Sequence, residues 1–297
     1  SARLPTLAEN PSWSAGAAGP TTNRPYLSWD YISSRSNGGS NEYNDLTFQL
    51  KVKSKELPGT STYDLAHAIT NAEGSIGDYN FTSEIGNKPS DAFNINLDRG
   101  SQLEIPTQRW VTSLDYSSPF GRDGRFGHNL PRALQAIAGG WDLFGILTLS
   151  SGHHLTPYSS WNTSGIESPA TNRADRVSGK DPNSGPGTVA QWFNTAAFST
   201  AAFHTGDTTN FLGRVGNAPV GSVIGPGFFD LDLSLRRNFA IREGWKLALL
   251  GQAKNVLNHP NLSDPYLYAD DPVNFGRIFG VRPGSTRTLI VGGRIEF

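Results

Sequence analysis

The feature that most constrains this chain is a set of segments in which apolar and polar residues alternate with a period of two. Phe229, Leu231, Leu233 and Leu235 interleave with Asp230, Asp232, Ser234 and Arg236, and Leu46, Phe48, Leu50 and Val52 with Thr47, Gln49, Lys51 and Lys53. An extended strand sends such sets to opposite faces, whereas a helix scatters them. Trp245, Leu247 and Leu249 oppose Lys246, Gln252 and Lys254, with Ala248 and Leu250 as apolar exceptions. Trp141, Leu143, Gly145, Leu147 and Leu149 share one face, as do Trp110, Thr112, Leu114 and Tyr116. At the end of the chain Leu289, Val291, Ile295 and Phe297 oppose Thr288, Arg294 and Glu296.

The alternation predicts strands over 44–54, 61–70, 107–117, 140–150, 228–238, 245–256 and 286–297, with a further short one near 26–34. Connections 55–60 and 239–244 are short; 118–139 is moderate, and its stretch 130–137 has the pattern of one or two helical turns. The others, 1–43, 71–106, 151–227 and 257–285, are long and rich in Pro, Gly, Ser, Thr and Asn. Alternation alone suits a soluble β-sandwich, whose sheets also have one apolar face. Short and long connections, however, alternate strictly along the chain, so all the long ones leave the same end of the sheet. Transmembrane β-barrels have that asymmetry, and loops of this length are out of place in a compact soluble domain. The expected fold is therefore all-β: an antiparallel transmembrane β-barrel segment of seven or eight strands with long extracellular loops, residues 1–297 forming one domain.

Composition narrows the function. A net charge of −1 offers no basic face to a nucleic acid. With no Cys there is no disulfide, thiol nucleophile or zinc cluster. No Met occurs even at position 1, so the chain is expected to be processed or a piece of a longer product. No apolar run is long enough for a transmembrane helix, but barrel strands are about 10 residues long and escape such a search.

Catalytic patterns are absent: there is no nucleophile elbow, His-Glu-x-x-His pair, phosphate-cradling loop or dinucleotide fingerprint. His153 and His154, with Asp264, Asp270 and Asp271, invite a metal reading, but no third ligand is marked by spacing and the acids lack the regular calcium-loop pattern. No enzyme, cofactor or metal is expected. Lys51, Lys53, Asp230, Asp232, Arg236, Lys246, Arg294 and Glu296 would line a lumen in a barrel, or a solvated face in a soluble sheet. Trp110, Trp141 and Trp245 begin or flank strands, where a barrel keeps its interfacial aromatics and a soluble domain its core.

Several short runs, in order, resemble Oar-like TonB-dependent outer-membrane receptors of the acidobacterial type. They are GPGFFDLDLSLRRNF at 225–239, NVLNHPN at 255–261, NFGRI at 274–278, WFNTAAF at 192–198, GGWDLFG at 139–145, PFG at 119–121 and RPY at 24–26. The resemblance is strong from Trp110 onward and weakest over 55–106. It implies the last third of a 22-stranded barrel, a lodging in outer-membrane lipid, and an import function driven through TonB. The plug that touches TonB, the rest of the barrel and the regulatory-like N-terminal domain have no counterpart here. It further implies that Gly292, Ile295 and Phe297 form the terminal signal read by the barrel-assembly machinery. Two other readings stay open at this level: a secreted β-rich binding or adhesive module, and a β-rich polysaccharide hydrolase.

Overall fold

Where period-two runs occur, the computed structural model has strands. It describes residues 39–54, 57–71, 94–103, 105–120, 139–159, 173–201, 216–242 and 245–297, with a few single positions between 125 and 134. The long strands are β1 (Asn41–Val52), β2 (Gly59–Thr70), β4 (Gln108–Ser117), β5 (Trp141–Ser150), β10 (Phe228–Arg242), β11 (Trp245–Lys254) and β12 (Thr288–Glu296). Short pieces complete the set: β3 (Gly100–Ser101), β6 (His154–Leu155), β7 (Asp175–Arg176), β8 (Phe198–Ser199) and β9 (Val223–Ile224). The seven long strands form one meander in chain order, every pair antiparallel, with β3 added to β2.

All seven strands expected from the alternation are present, with two adjustments. β10 runs on to Arg242, absorbing much of the expected 239–244 turn, because a bulge between Ala240 and Arg242 lets the ladder continue up to the connection with β11. β1 starts earlier than expected, at Asn41, since Asn41 pairs with Thr70 and extends the β1–β2 ladder toward the long-loop end. The expected strand near 26–34 lies outside the described residues, and the helical stretch 130–137 almost wholly so.

The register makes each face continuous. Val52, Gly59, Leu114, Gly145, Leu233, Ala253 and Leu289 are successive cross-strand partners and lie in one row. That row begins at the last residue of β1, beside a short turn, and ends at the second residue of β12, beside a long loop. The strands are thus offset by about nine residues, roughly 30 Å, over six steps of about 4.8 Å, a tilt near 45°. Strands that wind around a barrel have tilts of that size.

Candidate functional site

Two surfaces and a cap make up the candidate site. One face of the sheet collects Leu46, Phe48 and Leu50 of β1, Leu231, Leu233 and Leu235 of β10, and Leu289, Val291 and Ile295 of β12. This face is not buried: Leu50 is 66% exposed, Val291 88% and Phe297 91%. A soluble sandwich would hide such a face in its core. Here the apolar rows are the bare surface of the molecule, an arrangement that water penalises and lipid does not.

The opposite face carries Lys51, Asp230, Asp232, Arg236, Lys246, Arg294 and Glu296, all in register. Lys53 lies just beyond β1. Side chains on this face satisfy one another: Thr47 Oγ1 donates to Asp64 at 3.0 Å and Asp45 at 3.0 Å, Ser117 Oγ to Asp142 at 2.9 Å, and Arg294 pairs with Glu296 at 3.2 Å. Near the short-turn end it is concave, an open depression of about 670 Å³ bordered by Lys51, Thr60, Ser113, Asp115, Phe144 and Ile146.

The register also sorts the aromatic and terminal residues. Trp110, Trp141 and Trp245 all fall in the apolar rows, Trp110 near the long-loop end and the other two at the short-turn end. Ile295 belongs to the apolar rows, and Phe297, next after β12, rests against the Trp245 ring at 5.4 Å. Gly292 stands opposite Leu250 on the polar face, so it does not share a side with Ile295 and Phe297. A charged residue breaks the apolar pattern within β10: Arg237, between Leu235 and Phe239, is buried with its guanidinium over Trp141 at 5.0 Å and Phe239 at 4.4 Å. Cation–π contact with two rings offsets part of the cost of an arginine in an apolar row. Sequence reasoning missed it, because the Arg236-Arg237 pair reads as one polar step and one exception.

The long loops build the third part. They hold a hydrophobic core of their own, made of Leu155, Ala174, Phe193, Ala197, Phe198, Ala218, Val223 and Phe275. Phe193, Phe198 and Phe275 meet edge to face, with centroids 5.1 to 6.2 Å apart. Two small ladders, β6–β9 and β7–β8, frame them. Three loops contribute. Arg173 Nη1 donates to the carbonyls of Leu97 and Ala218 at 2.9 and 3.2 Å, and Nη2 pairs with Asp98 at 3.5 Å; both side chains are almost fully buried. Burial lowers the Arg173 pKa, and the Asp98 charge opposes that shift. The third loop is fastened by Asn261, whose side chain bonds both the N–H and the carbonyl of Phe229 at 2.8 and 2.9 Å. Asn255, in the left-handed region at φ 45°, bonds His259 and the carbonyl of Ser285.

The cap leans over one side only. On β2, Ala66, Ala68 and Thr70 of the polar face are 7%, 6% and 1% exposed, while Leu65 between the rows is 40% exposed. Val220 sits so close to Gly100 that no Cβ fits there, which brings segment 216–225 down onto β3. Three of the residues weighed as metal ligands have partners within the protein. His154 Nδ1 lies 3.2 Å from the Gly221 carbonyl and Nε2 3.1 Å from Thr107 Oγ1. Asp264 pairs with Arg282 at 3.3 Å, and Asp271 accepts the backbone N–H groups of Val273 and Asn274. Among the described residues no three His, Asp or Glu side chains converge. The cap residues Phe193, Phe198 and Phe275 fall within the short runs noted above, but their mutual contact carries no periodic signal.

No curated protein and no solved structure matches this chain. A family model described as an outer membrane beta barrel domain matches residues 3–289. With its bare apolar rows, tilted meander and one-ended loops, the chain belongs to the outer-membrane β-barrel domain family and resides in the outer membrane.

Proposed function

We propose that this chain is the C-terminal barrel portion of an Oar-like TonB-dependent transporter, with the apolar rows facing lipid and the polar face lining the lumen. The observation that carries the reading is the pairing of a bare apolar face with a polar face partly covered by an inward-leaning cap. Trp110 and Trp141 then mark the two lipid interfaces. Leu149, the partner of Trp110, is eight residues from Trp141, about 27 Å along a strand and roughly 20 Å in height at a 45° tilt, the order of a barrel's apolar band. Gly292, Ile295 and Phe297 act in assembly, as the terminal signal. The outer edges of β1 and β12, which pair with no other strand among the described residues, accept the remaining strands of the barrel. A plug supplied from outside this chain sits against the polar face and carries the contact with TonB. No catalytic step and no cofactor enter.

Purifying the full-length protein in detergent and passing it over the immobilised periplasmic domain of TonB tests the coupling. Retention that is lost when the plug is removed is expected. A protein that ignores TonB, or a native chain that partitions as an aqueous monomer without detergent, overturns the reading.

A further inference from the structure

We propose that the loop between β11 and β12 binds a neutral, coiling oligosaccharide on its outer face, with Tyr268, Tyr266 and Phe279 as successive ring platforms. The two arms of this loop, 262–268 and 276–281, run side by side. Ser263 N–H donates to the Gly280 carbonyl at 3.1 Å, Tyr266 N–H to the Arg277 carbonyl at 2.8 Å, and Gly276 N–H to the Tyr266 carbonyl at 2.9 Å. Backbone extended in this way sends alternate residues to opposite sides. Pro265 and Ile278 are buried, and Leu267 packs on the cap's core. Tyr266, Tyr268, Arg277, Phe279 and Val281 alternate with them, and Phe279 is left 65% exposed. Aromatic rings gathered on the side away from a core are the kind of exposed apolar patch that marks a binding surface.

The rings form a row. Tyr268 and Tyr266 have centroids 5.3 Å apart, and Tyr266 and Phe279 6.1 Å, steps of the order of one pyranose unit. Tyr158 stands edge-on to Tyr268 at 4.1 Å and bonds it through the hydroxyl, which fixes the first platform. A pyranose has an apolar C–H face, which suits a ring, and a rim of hydroxyls. The rim meets the Tyr266 and Tyr268 hydroxyls, each a donor and an acceptor, and a charged border. That border is Arg277, over the Phe279 ring at 5.5 Å, and Asp264, paired with Arg282 at 3.3 Å. Both signs of charge are present, so the border favours a neutral chain and gives no attraction to a polyanion. Shape narrows the ligand further. Successive ring planes turn by 48° and 88°, so a flat ribbon stacked on one ring meets the next edge-on, whereas a coiling chain can follow them. A protein partner fits less well. Three rings offer at most about 600 Å² even when bare, short of the roughly 800 Å² per partner of a stable protein interface. The loop leaves the long-loop end of the sheet, which is the extracellular end of an outer-membrane barrel. Import of the captured chain rests on the function proposed above; its capture does not.

Titration calorimetry of the full-length protein, in a detergent without a sugar headgroup, tests the site. Maltohexaose and laminarihexaose serve as coiling probes and cellohexaose as the flat one. At least one coiling probe is expected to bind at least tenfold more tightly than cellohexaose. Phe279→Ala and Tyr266→Ala are each expected to weaken that binding at least tenfold at an unchanged unfolding temperature, and Phe279→Trp to keep it. Cellohexaose binding as tightly as the coiling probes, Ala variants that bind like the parent, or a loss that Phe279→Trp shares would overturn the proposal. Heat from none of the three probes would overturn it too, and would leave the patch to a protein partner. Glucan binding by a protein that ignores TonB overturns the transporter reading and leaves this site standing.

Discussion

Asn255 holds a backbone conformation and a loop at once. Its φ of 45° is one that Asn adopts more readily than other side-chain-bearing residues, and its amide serves His259 and Ser285 from a site that is 1% exposed. Asn255→Ala is expected to cost about 3 kcal/mol, part from left-handed strain and part from buried groups left unpaired. Asn255→Gly removes the strain and keeps the lost bonds, so it is expected to lie about 1 kcal/mol above Ala. Thermal unfolding in detergent ranks the three, and an Ala variant as stable as Gly contradicts the account. Tyr158 supplies a second residue-scale expectation. Burial, with Tyr268 alongside, raises its pKa above the ordinary 10. The folded cap favours the neutral phenol, so stability is complete below pH 10 and is lost as pH rises past it. Absorbance of tyrosinate should show Tyr158→Phe removing a late, alkaline component that coincides with cap unfolding; an early component removed by the same change would refute it.

At the scale of elements, strands were legible in the sequence and the cap was not. Alternation such as that of 228–236 is a local signal, so each long strand and the face of each of its residues could be read without knowing its partners. The cap depends on contacts such as Asp98 with Arg173 and Phe193 with Phe275, far apart in sequence and set in irregular backbone. Nothing periodic announces them, and segment 151–227 reads as loop because its residues favour turns. The cap nonetheless has a core that mutation can test. Phe193 is 1% exposed and touches both other rings, so Phe193→Ala is expected to cost the cap about 3–5 kcal/mol. Hydrogen exchange should then speed up at Ala197, Ala218 and Gly225 while the β4–β5 ladder keeps its protection. Uniform loss across the sheet would mean the cap is not a separate unit. At the other end, Phe297→Ala removes the ring that rests on Trp245 and is expected to lower the folded fraction in the outer membrane several-fold, read by heat-modifiable gel mobility.

For the whole molecule, the two faces of one strand give a direct comparison. Leu233 and Ser234 are neighbours in the middle of β10 that point to opposite sides. Leu233→Arg is expected to cost about 2–4 kcal/mol in a bilayer, whereas Ser234→Arg should be close to neutral. Equal costs in a folding titration into lipid vesicles would remove the distinction between a lipid face and a lumen face. The sequence predicted this polarity. It could not predict that the cap covers only the polar side, because inward and outward leaning loops have the same composition.

The oblique row from Val52 to Leu289 has a mechanical consequence. With strands near 45° to the membrane normal, a pull along that normal resolves into nearly equal parts, about 0.7 of the force along the strands and about 0.7 across them. The part along the strands loads the hydrogen bonds of a ladder together and does not peel them one by one. The cap is held by scattered single bonds, two ladders of two residues each and the ion pairs Arg173–Asp98 and Arg282–Asp264, which share a load far less. Under tension the cap should give way first and the sheet yield only as a unit, so the same tilt that shapes the wall makes it the stiff part of the molecule and leaves the loops as the part that moves.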